Sequence, residues 1–246
     1  MINFKNKKSV AAFITAGDPT LDDTKRYIEI LQNSGVDLIE VGIPFSDPIA
    51  EGAVIQEADL RALKNGVCPD DIFAMLEGIE KKVPFVFMSY ANPVFFYGYE
   101  KFFARCQKAG VAGVILPDVP FEENGEIKEI AAKYNVFVAD MVAPVSKERI
   151  QKICRHAQGF IYLLSDMGLE NVGLQNAVCA VKEVSATPVL KEFGSTLEEA
   201  IITATHADGV IIGSQIVKII AENGNAADDA LNEYVSGICA AVHPLK

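Results

Sequence analysis

Glu40 stands inside an otherwise apolar run, Leu38-Ile39-Glu40-Val41, and two more carboxylates, Asp47 and Glu51, follow within the next few residues. Entered at Gly35 and closed by Gly42 and Pro44, the run predicts a short buried strand. Desolvation penalises a charged carboxylate, so an acid set into such a strand is pushed toward its neutral form near neutral pH. Glu40 is therefore suited to release a proton as general acid and to take one back as base. A satisfied acid at a strand terminus is the competing reading for any single residue of this kind.

Other residues that carry chemistry fall where further apolar runs end. Tyr90, Asp118 and Ser214 occupy such positions, and Phe193-Gly194-Ser195 and Ile212-Gly213-Ser214 make two glycine turns late in the chain. A glycine turn lets the backbone approach an anion, and a short helix starting near Gln215 aims free N–H groups and its positive end at the same point, so the two turns together predict a phosphate cradle. Each turn alone is equally an ordinary tight turn. Asp118 also suits a cap on the helix that follows it, and Tyr90 a hydrogen-bonded core edge. Lys191, at the end of the seventh predicted strand, is the candidate Schiff-base nucleophile, with a solvated charge as its alternative. The chain has no P-loop, which disfavours a nucleoside triphosphate.

Eight apolar segments have to position these residues. Strands are predicted at 9–15, around Glu40, at 83–88, 111–116, 136–142 and 160–164, around Val189, and at 209–212. Amphipathic helices are predicted between them: one opened by the Thr20/Asp23 capping pair and closed at Gly35, then 53–63, 70–79, 99–108, 122–134 and 146–157, with 228–242 as the last helix. The joints 34–38, 109–113 and 206–210 resemble one another, as a repeated strand–helix unit would. Near-continuous apolar strands alternating with helices predict an α/β fold, a closed parallel (β/α)8 TIM barrel, with residues 1–246 as one domain. An open doubly wound sheet would carry a glycine-rich fingerprint after its first strand, and Gly17-Asp18-Pro19 is not one.

Composition narrows the ligand. With 33 acidic against 22 basic residues and a formal charge of -11, the chain does not suit nucleic acid or an anionic membrane surface. Cys68, Cys106, Cys154, Cys179 and Cys239 contain no Cys-x-x-Cys pair, and the N-terminus lacks the apolar core of a signal peptide, so a reduced, cytoplasmic protein is expected. His156, His206 and His243 are scattered without ligand spacing, so no metal is expected. Charges break every apolar stretch short of a membrane span. A small molecule remains.

Residues 38–52 closely resemble the signature of the tryptophan synthase alpha subunit family, apolar-Glu-apolar-Gly-Ile-Pro-Phe-Ser-Asp-Pro followed by Ala-Asp-Gly-Pro. The likeness runs from Phe13 to Ile220 and includes Gly17-Asp18-Pro19, Tyr90-Ala91-Asn92, Asp118-Val119-Pro120, Tyr162-Leu163-Leu164-Ser165, Phe193-Gly194 and Gly213-Ser214. It implies a TIM barrel that cleaves indole-3-glycerol phosphate reversibly to indole and glyceraldehyde 3-phosphate in tryptophan biosynthesis. By the same resemblance Glu40 and Glu51 are the catalytic carboxylates. Phe13, Met88, Ile115, Met141 and Tyr162 would form the indole pocket, Tyr90 would be a further substrate-binding residue, and Gly194, Ser195, Gly213 and Ser214 would bind the phosphate. The chain would hold no cofactor of its own. It would join a beta subunit carrying pyridoxal phosphate in an α2β2 heterotetramer, with Asp47, Pro48, Asp118 and Pro120 at the docking regions.

The sequence departs from that pattern in four places. Glu51 replaces the family's second catalytic Asp, and Ala53 its Pro. Glu192 stands where the family has Gly beside the phosphate turn, so a carboxylate there repels phosphate unless it points away. The mobile loop after strand six, residues 165–173, lacks the family's Arg and Thr and gains two acids. The N-terminus is shorter than the family's leading helix, which would leave the barrel bottom less covered. Three functional expectations stay open: the lyase, an alpha-like module with altered substrate or no catalysis that binds a beta subunit, and a phosphosugar aldolase using Lys191.

Overall fold

The structure, a computed structural model, describes residues 8–143, 146–164 and 171–245, the side chains at 171, 172 and 225 excepted. Its strands are β1 (Ser9–Thr15), β2 (Leu38–Gly42), β3 (Phe85–Met88), β4 (Val111–Ile115), β5 (Phe137–Val138), β6 (Asp140–Val142), β7 (Ile161–Leu163), β8 (Val189–Glu192) and β9 (Gly209–Ile212). All of the pairings are parallel, in the order β5-β4-β3-β2-β1-β9-β8-β7-β6. The two ends of that order, β5 and β6, are halves of one strand interrupted at Ala139. Ala139 N–H still donates to Val114 O at 2.9 Å, so the sheet closes into an eight-stranded barrel, as expected from the sequence. The expected strand at 136–142 is thus present but broken.

Each strand faces two apolar environments. In β1 all seven residues are buried, because alternate side chains point to the barrel interior and to the helix layer. The interior set comprises Phe13, Met88, Ile115, Phe160, Tyr162 and Leu190 among others. The opposite faces pack on helices, with Val10, Ile14, Ile39 and Val41 joining residues such as Tyr27, Ile28 and Leu31 of α1 (Leu21–Asn33).

Local signals set the helix limits. Thr20 accepts the Asp23 N–H at 3.1 Å, and Gly35 takes φ 96° just beyond α1, as the capping pair and glycine predicted. There follow α2 (Ala53–Lys64), α3 (Pro69–Glu77), α4 (Ala91–Tyr97), α5 (Tyr99–Ala109), α6 (Gly125–Lys133), α7 (Lys147–Cys154), α8 (Asn171–Lys182), α9 (Leu197–His206), α10 (Ser214–Asn223) and α11 (Ala227–Val242). Helix α4 was not expected: Ala91-Asn92-Pro93 reads as a strand terminator, yet Pro93 falls in the first turn, where its missing N–H costs nothing. Helix α6 starts later than the sequence suggested because turns occupy 121–123. Of the lid segment, Ser165 to Glu170 lie outside the described residues, as does the N-terminal stretch 1–7 whose shortness bore on the barrel bottom. Among the described residues no helix is long and apolar enough to cross a membrane.

At the N-terminal end of the barrel the Phe137 ring fills the space over Gly113, where a Cβ would come within 2.3 Å of it. Gly113→Ala must therefore displace a packed ring, and a destabilisation of about 1–3 kcal/mol is expected for such overpacking. A urea midpoint lowered without a change in slope checks this; an unshifted midpoint shows that the ring yields freely.

Candidate active site

Glu40 is placed by strand register. It lies beside Phe13 of β1 and Val86 of β3, and it follows Leu38 on the interior side of β2 by the two-residue alternation of a strand. It is 0% exposed, and neither carboxyl oxygen has a hydrogen-bond partner among the described residues. Burial, with a smaller contribution from the charge of Glu192, pushes its pKa up to about 8. At neutral pH it carries a proton, as the sequence suggested, on the interior face of the barrel, where Phe13, Met88, Ile115, Met141 and Tyr162 pack in one apolar cluster. The structure gathers all five of the expected indole-pocket residues on the same interior face.

Glu51 lies on the loop after β2. Tyr90 holds that loop: its ring stacks on Phe45 with centroids 5.3 Å apart, and its hydroxyl accepts the Ala50 N–H at 3.2 Å. Glu51 is hydrogen-bonded to Tyr90 and to Asp59 of α2, and burial raises its pKa. Glu51 Oε2 is buried with no donor from the described residues. Asp59, 3% exposed, is pushed up to about 9 by burial and by the neighbouring charge of Glu51. The sequence reading missed Asp59. A signal was present, since it shares the buried face of α2 with Ile55, Ala58 and Ala62, and a charged residue on an apolar helix face requires a partner.

The expected phosphate end is more acidic than the glycine turns implied. The Ser195 and Thr196 N–H groups donate to Glu199 Oε2 at 2.9 and 3.0 Å, in a capping box that opens α9. The Ser195 amide, expected in the phosphate cradle, here meets the Glu199 carboxylate at the helix start. Gly213 is the N-cap of α10, one residue earlier than the helix start anticipated. Glu192 does not point away: its Oε1 would lie 3.5 Å from a Cβ placed on Gly213. Its carboxyl is hydrogen-bonded by the Tyr162 hydroxyl, and burial raises its pKa.

The remaining candidates separate from this cavity. Lys191 lies between interior residues Leu190 and Glu192 in sequence, so alternation turns it to the helix side. There its Nζ donates to Glu192 O at 3.0 Å; burial lowers its pKa, and the charges of Glu192 and of Glu199 on α9 oppose that shift. That position does not favour a Schiff base with a ligand in the barrel. Asp118 accepts the Ala91 N–H at 2.9 and 3.0 Å and so caps α4, not the helix that follows it. Asp47 and Pro120 are exposed and Pro48 is half-buried, close in sequence to Ile49, which is 76% exposed; Phe95 and Phe96 of α4 are 70% and 92% exposed. A cleft of about 690 Å³ at the other end of the barrel, lined by Pro84, Phe137, Gly159 and Pro188 among others, contains no titratable side chain.

Comparison with known proteins agrees with this geometry. A family model described as tryptophan synthase alpha chain matches residues 1–241. The chain is 41% identical to the tryptophan synthase alpha chain of Lacticaseibacillus casei, covering 99% of this chain and 95% of the relative. Among solved structures, the tryptophan synthase subunit alpha of Legionella pneumophila superposes with a TM-score of 0.89 at 34% identity, covering 97% of this chain and 94% of the other. A chain from the tryptophan synthase α2β2 complex of Pyrococcus furiosus gives a TM-score of 0.87 at 32% identity, with 95% and 98% covered.

The raised pKa of Glu40 has a consequence for stability. Between 4.5 and about 8 the native state keeps a proton that the unfolded chain has released, so this contribution is complete below 4.5 and is lost as pH rises through the window. The slope is about 1.4 kcal/mol per pH unit for one such group. Glu40→Gln removes that slope, so its urea-derived stability gains on the parent steadily from pH 5 to pH 8. Parallel curves would show that Glu40 ionises without penalty.

Proposed function

This chain belongs to the tryptophan synthase alpha chain family, and we propose from that premise that it is a carbon–carbon lyase, cleaving indole-3-glycerol phosphate reversibly to indole and glyceraldehyde 3-phosphate in tryptophan biosynthesis. The observation that carries the reading is the unpartnered Glu40, held protonated by burial on the interior face of the barrel among Phe13, Met88, Ile115, Met141 and Tyr162. An acid held neutral by burial has a proton to give, and once it has given it the resulting carboxylate is a strong base in the same low-dielectric site.

The roles follow from the positions. Phe13, Met88, Ile115, Met141 and Tyr162 enclose the indole ring. Glu40 protonates the ring at C3, and the Glu51 carboxylate accepts the ring N–H and stabilises the indolenine cation. Glu40, now ionised, removes the proton of the side-chain hydroxyl next to C3. The C–O bond becomes the aldehyde carbonyl, the C–C bond breaks, and its electron pair restores the aromatic indole. The phosphate rests at Gly213 and Ser214, where the N-terminus of α10 supplies the positive end of a helix. Glu192 borders the same space; burial raises its pKa and so lessens its charge toward the phosphate, while Lys191 and the Tyr162 hydroxyl oppose that shift.

The product indole is apolar and passes to a partner. We assign the beta subunit, with its pyridoxal phosphate, to the face formed by Asp47, Pro48 and Pro120 with exposed Ile49, Phe95 and Phe96. Exposed aromatic residues on one helix are the usual centre of a protein interface. Asp118 serves that face indirectly, by ordering the start of α4. The free cysteines, Cys68, Cys106, Cys154, Cys179 and Cys239, fit a one-domain enzyme of the reducing cytoplasm.

Indole release from indole-3-glycerol phosphate by the purified chain tests the reading, with and without its beta subunit. Glu40→Gln should lower turnover by at least about 10²–10⁴-fold, the usual contribution of a general acid–base. A parent chain that is folded yet inert in both conditions would favour the non-catalytic partner-binding alternative. Separately, Glu192→Gly removes a carboxyl facing the phosphate, so KM should fall about tenfold, equivalent to about 1.4 kcal/mol. The alkaline limb of kcat should move to lower pH, because Glu40 loses a like-charged neighbour. An unchanged KM would place the phosphate elsewhere.

A further inference from the structure

We propose that Asp59 is a positioning residue for Glu51: the two carboxyl groups share one proton across a buried hydrogen bond, and that bond holds Glu51 at the mouth of the barrel. The inference rests on the reading that Glu51 serves the ring N–H. Asp59 is on α2, which begins just after the Glu51 loop, and its side chain sits at 3% exposure on the helix face that carries Ile55, Ala58 and Ala62. Two carboxyl groups in hydrogen-bond contact need a proton between them, since neither carboxylate has one to donate.

The surrounding charges leave no other solution. The charged groups that act on Asp59 are Glu51 and Asp18, both acidic, and the one backbone donor is the Phe45 N–H at 3.5 Å. Arg61, on the same helix, is the nearby cation, but its guanidinium is committed to both oxygens of buried Asp18 at 2.7 and 2.8 Å; Glu57 adds a further negative charge near it. Tyr90 stays a neutral phenol, its pKa raised by burial and by Glu51 and Asp59, so it supports one charge on the pair without cancelling it. Two adjacent buried carboxylates cannot both ionise until the second proton is removed at high pH. The pair therefore carries a single negative charge through the neutral range. When the second proton leaves, repulsion separates the two groups and frees Glu51 from its position.

The geometry also explains why Glu51 can replace a shorter acid. The additional methylene alone would misplace its carboxyl, and positioning errors of about 1 Å cost on the order of 10²-fold in rate. A fixed partner on α2 removes that freedom.

Asp59→Asn tests the pairing, because it preserves shape and hydrogen-bonding capacity but cannot share a proton. In the parent, log kcat should fall with slope −1 above the Glu40 limb near 8 and steepen beyond about 9; in Asp59→Asn the second break should vanish. Infrared titration gives a readout independent of turnover: a protonated-carboxyl band that disappears near pH 9 in the parent should be missing from both Asp59→Asn and Glu51→Gln, each shown to be folded by its urea midpoint. Retention of the band and the second break in Asp59→Asn overturns the proposal. Glu51→Gln separates the two readings. Impaired indole release there, with the band retained in Asp59→Asn, sinks the pairing and leaves the role of Glu51 intact. Full indole release in Glu51→Gln removes the catalytic role of Glu51, and the positioning role of Asp59 falls with it.

Discussion

The site depends on the cost of burying the Glu40 carboxyl without a partner. In water the acid ionises readily; inside the barrel, with no hydrogen bond to either oxygen, the charged form is penalised and the proton stays on. The arrangement works only while water and cations are kept away. That requirement accounts for the apolar character of the interior faces of β1, β3, β4 and β7 around it. It also fixes the register of β2: a shift by one residue would turn Glu40 into the helix layer and bring Ile39 or Val41 into the cavity. Gly42 belongs to the same constraint, because the Phe13 ring occupies the place of its missing Cβ, where the nearest ring atom would be 2.7 Å away. A side chain at Gly42 would push that ring toward the acid.

Acidity at the barrel mouth is the second theme. Glu40, Glu51, Asp59 and Glu192 all have carboxyl pKa values raised chiefly by burial, in a chain whose net charge is already -11. Four ionised carboxylates in one cavity would repel one another and any phosphate ester. Protonation resolves the conflict locally: Glu40 holds a proton, Glu51 and Asp59 sit close enough to need one, and Tyr162 donates to Glu192. In the proposed reaction the anion would meet the start of α10, whose N-cap is Gly213. Glu199 shows the contrasting case, an exposed acid whose pKa is lowered by the Ser195 and Thr196 amides. The two glycine turns are alike in sequence and differ in what their amides face.

How much of this was legible from sequence follows from the range of the interactions. The barrel was readable because alternation of apolar strand and amphipathic helix is a local signal repeated along the chain, and the caps at Thr20 and Gly35 lie within a few residues of the ends they set. Glu40 stood out as a charge in a strand, and the five pocket residues emerged through a resemblance that the interior face of the sheet supports. Residues paired across the fold were not readable. Asp59 is a solvated helix acid until α2 is docked beside the Glu51 loop. Asp118 looks like the cap of the next helix in sequence, but the backbone N–H it reaches is that of Ala91, 27 residues earlier. The capping of the Ser195 amide by Glu199 was likewise not read from the glycine turn, although the two residues are only four apart. The break at Ala139 likewise depends on neighbours, since β5 pairs with β4 and β6 with β7.

Tyr90 joins the Glu51 loop to α4. It is the N-cap residue of α4, so its backbone is fixed to the helix that presents Phe95 and Phe96. Its side chain, 1% exposed, is fixed to Phe45, Ala50 and Glu51 on the acid loop. Both attachments are buried, and a buried hydrogen bond is costly to break without a replacement. Displacement of α4 against the barrel therefore either carries the acid loop with it or leaves a Tyr90 hydroxyl and a Glu51 carboxyl unsatisfied. Asp118 restrains the same point from the turn after β4, holding the Ala91 N–H with both oxygens. The exposed aromatic surface and the loop that carries Glu51 are thus mechanically coupled through Tyr90.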